Sequence, residues 1–353
     1  MDMGNIADID KNFKVQAKIE QQGIRFFDVL SKPFEIYGIY MDDGKFRRMP
    51  ENVAENVNNG VLRLHANCAG GRVRFRTNSP YVAISAKMGS IGKMAHFPLT
   101  GSAGFDMYIN DGNGETYERT FVPPFDIETG YESLVNFDNA VLRDITINFP
   151  LYSEVKELYV GIDQNAALEE PTPYIDKKPI VYYGSSITQG GCASRPGNCY
   201  QAYISRRFNC DYINLGFSGN ARAEDTIAQY IKKLDMSVFV YDYDHNAPTI
   251  EHLEKTHEKM FETIRRENAD LPVIIMSAPK WTLNDEWKKR RDIVEATYKN
   301  ALAAGDKNVY FLSGTDLMRL CENNGTVDNC HPNDLGFVSM AKAVGDVIEK
   351  IWK

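Results

Sequence analysis

The sequence is poor in the residues that build metal centres and disulfide frameworks. Six cysteines, at positions 68, 192, 199, 210, 321 and 330, include no Cys-x-x-Cys pair. That excludes a zinc ribbon and a dense disulfide scaffold, and free thiols in a reducing compartment are expected. No apolar run approaches the ~20 residues that span a bilayer. Met1–Asp10 carries neither a basic block nor an apolar one, so no secretory leader is read and a cytoplasmic location is expected. Basic residues are outnumbered, 40 Lys and Arg against 48 Asp and Glu, for a net charge of −8. This balance argues against nucleic acid or an anionic membrane as partner. The one tight basic run, Lys288–Arg291, is expected on a solvated helix face. There is no internal repeat and no low-complexity tract. A homo-oligomer is left open.

At 353 residues the chain has room for two cores. Its first half reads as short strands: 61–65, 72–76, 81–86, 105–109, 117–122, 142–148 and 155–160. Most alternate apolar and polar residues, and turn signals such as Ala69-Gly-Gly71, Asn78-Ser-Pro80 and Asn110–Gly114 separate them. Half-buried strands at this spacing predict an all-β sandwich of jelly-roll type over residues 1–165.

The stretch Glu169–Tyr174, with prolines at 171 and 173, marks a boundary. Beyond it, continuous apolar runs at 180–183, 212–215, 238–241, 273–276 and 309–312 alternate with helical patterns at 200–208, 224–234, 250–268, 285–304 and 334–352. Strands apolar on both faces and joined by helices predict an α/β fold over residues 175–353, a flavodoxin-like doubly wound parallel sheet.

Ligand and catalytic sites in such sheets lie beyond the carboxyl ends of the strands. The first apolar run ends at Gly184-Ser-Ser-Ile-Thr188, which places Ser186 there. A serine hydroxyl needs a base, and His331 is the candidate; Asp328, three residues earlier, is placed to orient its ring. Each of these has a plainer reading, a helix cap at Ser185-Ser186 and a turn at Asp328, but together they point to a Ser-His-Asp triad. The Asp-x-Asp-His of residues 242–245 is read as local hydrogen bonding rather than a metal site. Cys330 and Cys192 are read as small apolar residues, because neighbouring side chains such as Cys330 and His331 rarely meet.

The block is not Gly-x-Ser-x-Gly, since Thr188 stands where the second glycine would be. Gly184–Thr188 instead resembles the Gly-Asp-Ser-Leu block of the SGNH (GDSL-type) serine hydrolases, with Ser185 in place of Asp. Asn214–Asn220 resembles the second block and supplies an oxyanion glycine, Gly219 before Gly216. Asn246, in Asp242–Ala247, matches the asparagine of the third block but not its glycine or final Asp. Asp328–Pro332 matches the fourth block, Asp-x-x-His-Pro, in full. Gly104-Phe-Asp-Met-Tyr108 resembles the Gly-x-Asp-Leu-Tyr segment in the β domain of some two-domain members. That domain order is similar to microbial carbohydrate acetylesterases, including the mannan acetylesterases of carbohydrate esterase family 17, whose β domain is similar to a carbohydrate-binding module.

The resemblance implies a carboxylic ester hydrolase that deacetylates acetylated oligosaccharides. Ser186, His331 and Asp328 are its triad; the amides of Ser186 and Gly219 and the Asn246 side chain form its oxyanion hole; no metal or organic cofactor is required. Trp281, past a strand end, is a candidate sugar-stacking residue, whereas Trp287 and Trp352 are expected to pack. A neutral His331 predicts one ionisation near neutrality on the acid limb of activity. The alternatives are a lipase or thioesterase with the same machinery and a non-catalytic carbohydrate-binding protein.

Overall fold

The computed structural model describes residues 15, 18–110, 112 and 114–353. Met1–Asp10, and Asp111 and Asn113 of the predicted turn, lie outside the described residues. In the first half the strands are β1 (Ile24–Asp28), β2 (Glu35–Tyr37), β3 (Tyr40–Asp42), β4 (Lys45–Arg47), β5 (Arg72–Thr77), β6 (Tyr81–Met88), β7 (Phe105–Asn110), β8 (Thr116–Phe121), β9 (Gly130–Asn136), β10 (Arg143–Asn148), β11 (Val155–Asp163) and β12 (Leu168–Glu169). Two antiparallel sheets face each other, ordered β1-β11-β6-β9 and β12-β5-β10-β7-β8. Their eight principal strands follow the order of a jelly roll. Val73, Phe75, Val82, Ile84, Ile145 and Ile147 fill the space between them. The strands β1, β2, β3, β4, β9 and β12 have no counterpart among the predicted ones.

The outer face of the second sheet is polar and buried. Arg72, Arg74 and Asp106 are each at most 2% exposed, because the second half of the chain covers them. The Arg72 guanidinium lies 3.9 Å above the Tyr212 ring and pairs with Asp211. Asp106 accepts hydrogen bonds from Arg195 (3.0 Å), the Gly197 amide (2.9 Å) and Asn148 (2.8 Å).

The segment predicted as a strand at 61–65 is a helix, Asn59–Leu64. Asn58 caps it, its side-chain oxygen accepting from the amides of Gly60 and Val61 at 2.9 Å each. Val61 and Leu64, three residues apart, share one face. With Met49 and Ala54 they enter the same core as Val181 and Tyr183 of the second half.

That half contains β13 (Ile180–Gly184), β14 (Tyr212–Gly216), β15 (Val238–Asp242), β16 (Val273–Met276) and β17 (Val309–Leu312). All pair in parallel, in the order β14-β13-β15-β16-β17, the flavodoxin-like arrangement. Alternate residues of β13 serve opposite faces. Val181 and Tyr183 meet the helices Asp225–Ile231, Ile250–Glu267 and Asp285–Ala303; Ile180 and Tyr182 meet Tyr200–Phe208 and Asp334–Trp352. The order reverses between β13 and β15, and the crevice opens at their carboxyl ends.

Candidate active site

Gly184 ends β13 where any side chain would overlap the Asp242 carbonyl and the Thr188 hydroxyl. Ser185 then caps the short helix Ser186–Gln189, its hydroxyl accepting from the Ile187 amide at 3.1 Å. The cap is thus Ser185 alone, and the Ser186 hydroxyl is released for another partner. That partner is His331: Ser186 Oγ lies 3.0 Å from Nε2, and the other ring nitrogen, Nδ1, lies 2.7 Å from Asp328 Oδ2. Nδ1–H donates to the carboxylate, so Nε2 presents its lone pair to the serine.

Asp328 is held by its own turn. Its Oδ1 accepts from the amides of Cys330 (3.0 Å) and His331 (2.7 Å). Burial opposes its ionisation, but the His331 ring and these amides outweigh burial and keep its carboxyl below the usual range. For His331 the Cys330 sulfur raises the pKa, burial lowers it and Asp328 raises it again, to about 9 from 6.5. The ionisation expected near neutrality is therefore displaced upward.

The other named donors come from the loops that follow β14 and β15. Gly219 turns the chain at φ +70°, and a Cβ there would meet nothing within 4 Å. Asn246 follows β15, and its Oδ1 lies 3.4 Å from the Ala221 amide beside that turn. The amides of Ser186 and Gly219 and the Asn246 side-chain nitrogen have no acceptor among the described residues. Gly216, the lesser alternative, is spent structurally: its amide donates to Asn214 and its carbonyl accepts from Arg48.

Several neighbours depart from expectation. Cys330 does meet His331, Sγ to Nε2 at 4.0 Å, and lies 3.0 Å from His245 Nε2. A left-handed Asn329 (φ +62°) bends the backbone so that adjacent side chains converge. Burial, then Lys280, pushes the His245 pKa down to about 3, so His245 stays neutral beside the Cys330 sulfur. Arg290, placed on a solvated face, is 6% exposed and donates to the carbonyls of Asp244 (3.0 Å) and Ala247 (3.1 Å), bracing the loop that carries Asn246. Asp242 and Asp244 accept hydrogen bonds from Thr188 and the Ala278 amide at 2.9 Å each, so their bonds reach distant segments rather than being local.

Trp281 is half-buried against the second core and lines a small hollow with Asn329, behind the Asp328 turn. Trp287 instead reaches the site's edge, its ring 4.9 Å from that of His245. Two residues of the first half reach the site without local signal in the sequence. Tyr152 donates to the Ser186 carbonyl at 3.1 Å, and the His96 ring lies 5.5 Å from that of His331.

A family model described as the GDSL-like lipase/acylhydrolase family matches residues 177–349. A second, the N-terminus of esterases of the SGNH-hydrolase type, matches residues 24–168, including Gly104–Tyr108. No curated protein matches the chain. Among solved structures it is similar to a Bacteroides ovatus ATCC 8483 protein assigned as a GDSL-like lipase, with 26% identity and TM-score 0.83 over 93% of this chain and 98% of that one. The salicylyl-acyltransferase SsfX3 of a tetracycline biosynthetic pathway shares the fold at 20% identity and TM-score 0.76, over 94% and 98%. So does an acetyl xylan esterase from the rumen bacterium Butyrivibrio proteoclasticus, at 12% identity and TM-score 0.56, over 92% and 98%. Matched in its first half by the N-terminal domain and in its second by the hydrolase domain of one enzyme family, the chain belongs to the SGNH (GDSL-type) ester hydrolases.

Proposed function

We infer that the protein is a serine esterase that removes acetyl groups from acetylated oligosaccharides. The observation that carries this reading is the relay Ser186–His331–Asp328, at 3.0 and 2.7 Å. Ser186 Oγ attacks the ester carbonyl while His331 Nε2 takes its proton. The carbonyl oxygen becomes an oxyanion facing the amides of Ser186 and Gly219 and the Asn246 side chain. One such donor typically contributes about 2.7–4 kcal/mol to the barrier. The C–O bond to the sugar breaks as His331 protonates the leaving oxygen. Water, deprotonated by the same nitrogen, then hydrolyses the acyl-enzyme. Asp328 fixes the ring and stays ionised.

The choice of an acetylated sugar is supported by the shared fold with an acetyl xylan esterase across both halves. Mannan, the polymer of the esterase family whose domain order the sequence resembles, is the first polysaccharide to test, with Trp281 as a contact to probe. A carbohydrate-binding role for the first half belongs to the same reading. Six free thiols suit a reducing compartment and support a cytoplasmic location, with oligosaccharide fragments as substrates. Among the described residues no helix is long and apolar enough to cross a membrane.

A second reading, a lipase or thioesterase, has one observation in its favour. A hollow of about 380 Å3, lined by Lys93, Met94, Ala95, Phe97, Leu99 and the 91% exposed Phe125, offers apolar surface. Initial rates on p-nitrophenyl acetate, butyrate and octanoate, with mass spectrometry of acetylated mannan, xylan and pectin fragments, separate the two. Preference for octanoate, with no loss of acetyl from any glycan, overturns the acetylesterase reading.

A further inference from the structure

Around the His331 ring the fold assembles soft metal donors that the acyl-transfer chemistry does not use. Cys192 follows the serine helix and its amide donates to the Pro332 carbonyl at 2.9 Å, next to His331. His96 comes from the segment between β6 and β7, in the first half of the chain. One donor atom of each of His96, Cys192 and His331 lies within 4.8 Å of the other two. Zinc–nitrogen bonds of about 2.0–2.1 Å and a zinc–sulfur bond of about 2.3 Å place tetrahedral donors about 3.5 Å apart. The trio is therefore a small side-chain movement from coordination, and His96, being exposed, is free to make it.

The hydrogen bonding of His331 also favours a metal. Its Nδ1–H is committed to Asp328, so Nε2 offers a lone pair oriented by a carboxylate, the same outer support that zinc-bound histidines have. Three protein donors and an open fourth position suit an exchangeable ion.

We propose that His96, Cys192 and His331 form an inhibitory site for a soft divalent cation, Zn2+ or a metal of like chemistry. Bound there, the ion occupies the lone pair that would take the Ser186 proton, and the Cys192 thiol gives up its proton to solvent. Inhibition rests on the reading of His331 as the base; the ligand set does not.

Anaerobic titration of the full-length protein with Co2+ reads the site without substrate. A thiolate-to-cobalt charge-transfer band is expected in the wild type, in Ser186→Ala and in Cys330→Ala. It is expected to weaken in His96→Ala and to vanish in Cys192→Ala. Zn2+ should depress p-nitrophenyl acetate hydrolysis and EDTA restore it. Relative to its own metal-free rate, His96→Ala should need at least about tenfold more Zn2+ for half-inhibition. The proposal is overturned by no band in the wild type, by a band that survives Cys192→Ala, or by unchanged zinc sensitivity in His96→Ala. A protein without esterase activity would fail the functional reading, and the cobalt band would still decide the site.

Discussion

The hydroxyl of Tyr152 donates to the main-chain carbonyl of Ser186 at 3.1 Å, so a side chain from the jelly-roll half holds the turn that carries the reactive hydroxyl. The Tyr152 ring is itself fixed edge-on against Phe97, at 5.2 Å. Tyr152→Phe keeps that packing and removes one hydrogen bond. A loss of about 1 kcal/mol in stability is expected, together with a several-fold fall in kcat at nearly constant KM. Steady-state kinetics and thermal melts check this; an unchanged kcat would show that Tyr152 does not position the serine.

Ser186 and Ser185 are expected to separate cleanly. Ser186→Ala should lower kcat by a factor on the order of a million, as loss of a triad nucleophile does, with the fold intact. Ser185→Ala removes the cap on the Ile187 amide, costing about 1 kcal/mol of stability, and should leave most of kcat. The reverse pattern in activity and melting data would reassign the nucleophile.

The pH profile follows from the raised pKa of His331. Only the neutral ring accepts the serine proton, so kcat/KM should climb with pH through about 9 rather than level off near 6.5. Cys330→Ala removes the leading cause of the shift. It should move the acid limb to lower pH and raise activity near neutrality. The sign for stability is opposite: a folded pKa above the unfolded one stabilises the protein below pH 6.5, and this is lost as pH rises through about 9. A wild-type limb at 6.5, unmoved by Cys330→Ala, would refute the assignment.

Asp106 is the buried anchor between the two halves, 0% exposed and bonded to Arg195, Gly197 and Asn148. Asp106→Ala takes the carboxylate from the Arg195 guanidinium and leaves the Gly197 amide unpaired, and a loss of about 3–5 kcal/mol is expected. Because Met49, Ala54, Val61 and Leu64 lie in the α/β core, unfolding should remain a single transition, and a fragment of residues 175–353 should be insoluble. Urea denaturation followed by both fluorescence and circular dichroism tests the first claim. A soluble, folded fragment would refute the second.

The parallel sheet and the helices of the second half were legible because their residues are buried on one stripe or on both faces, which composition records directly. Ser186, His331 and Asp328 could be read because each closes a short local motif. The jelly-roll half was legible in its strands but not in its surfaces. Arg72, Arg74 and Asp106 have the polar alternation of a solvent face, yet another part of the chain covers them. Polar residues mark a strand's second face, and cannot say whether water or protein lies against it. Val61–His65 was misread for a related reason, since five residues do not distinguish a period of two from a one-sided helix whose cap is Asn58. His96 and Tyr152 were missed because long-range topology alone brings them to the serine.

The sequence separation of 145 between Ser186 and His331 also orders events in time. A ribosome delivers the hydroxyl early and its proton acceptor late, after four more sheet strands. Until the Asp328 turn emerges and the helix at 334–352 docks, the nascent chain carries an ordinary, unreactive alcohol. The polypeptide thus cannot be acylated by a passing ester during its own synthesis, and competence arrives in one step with the completed fold.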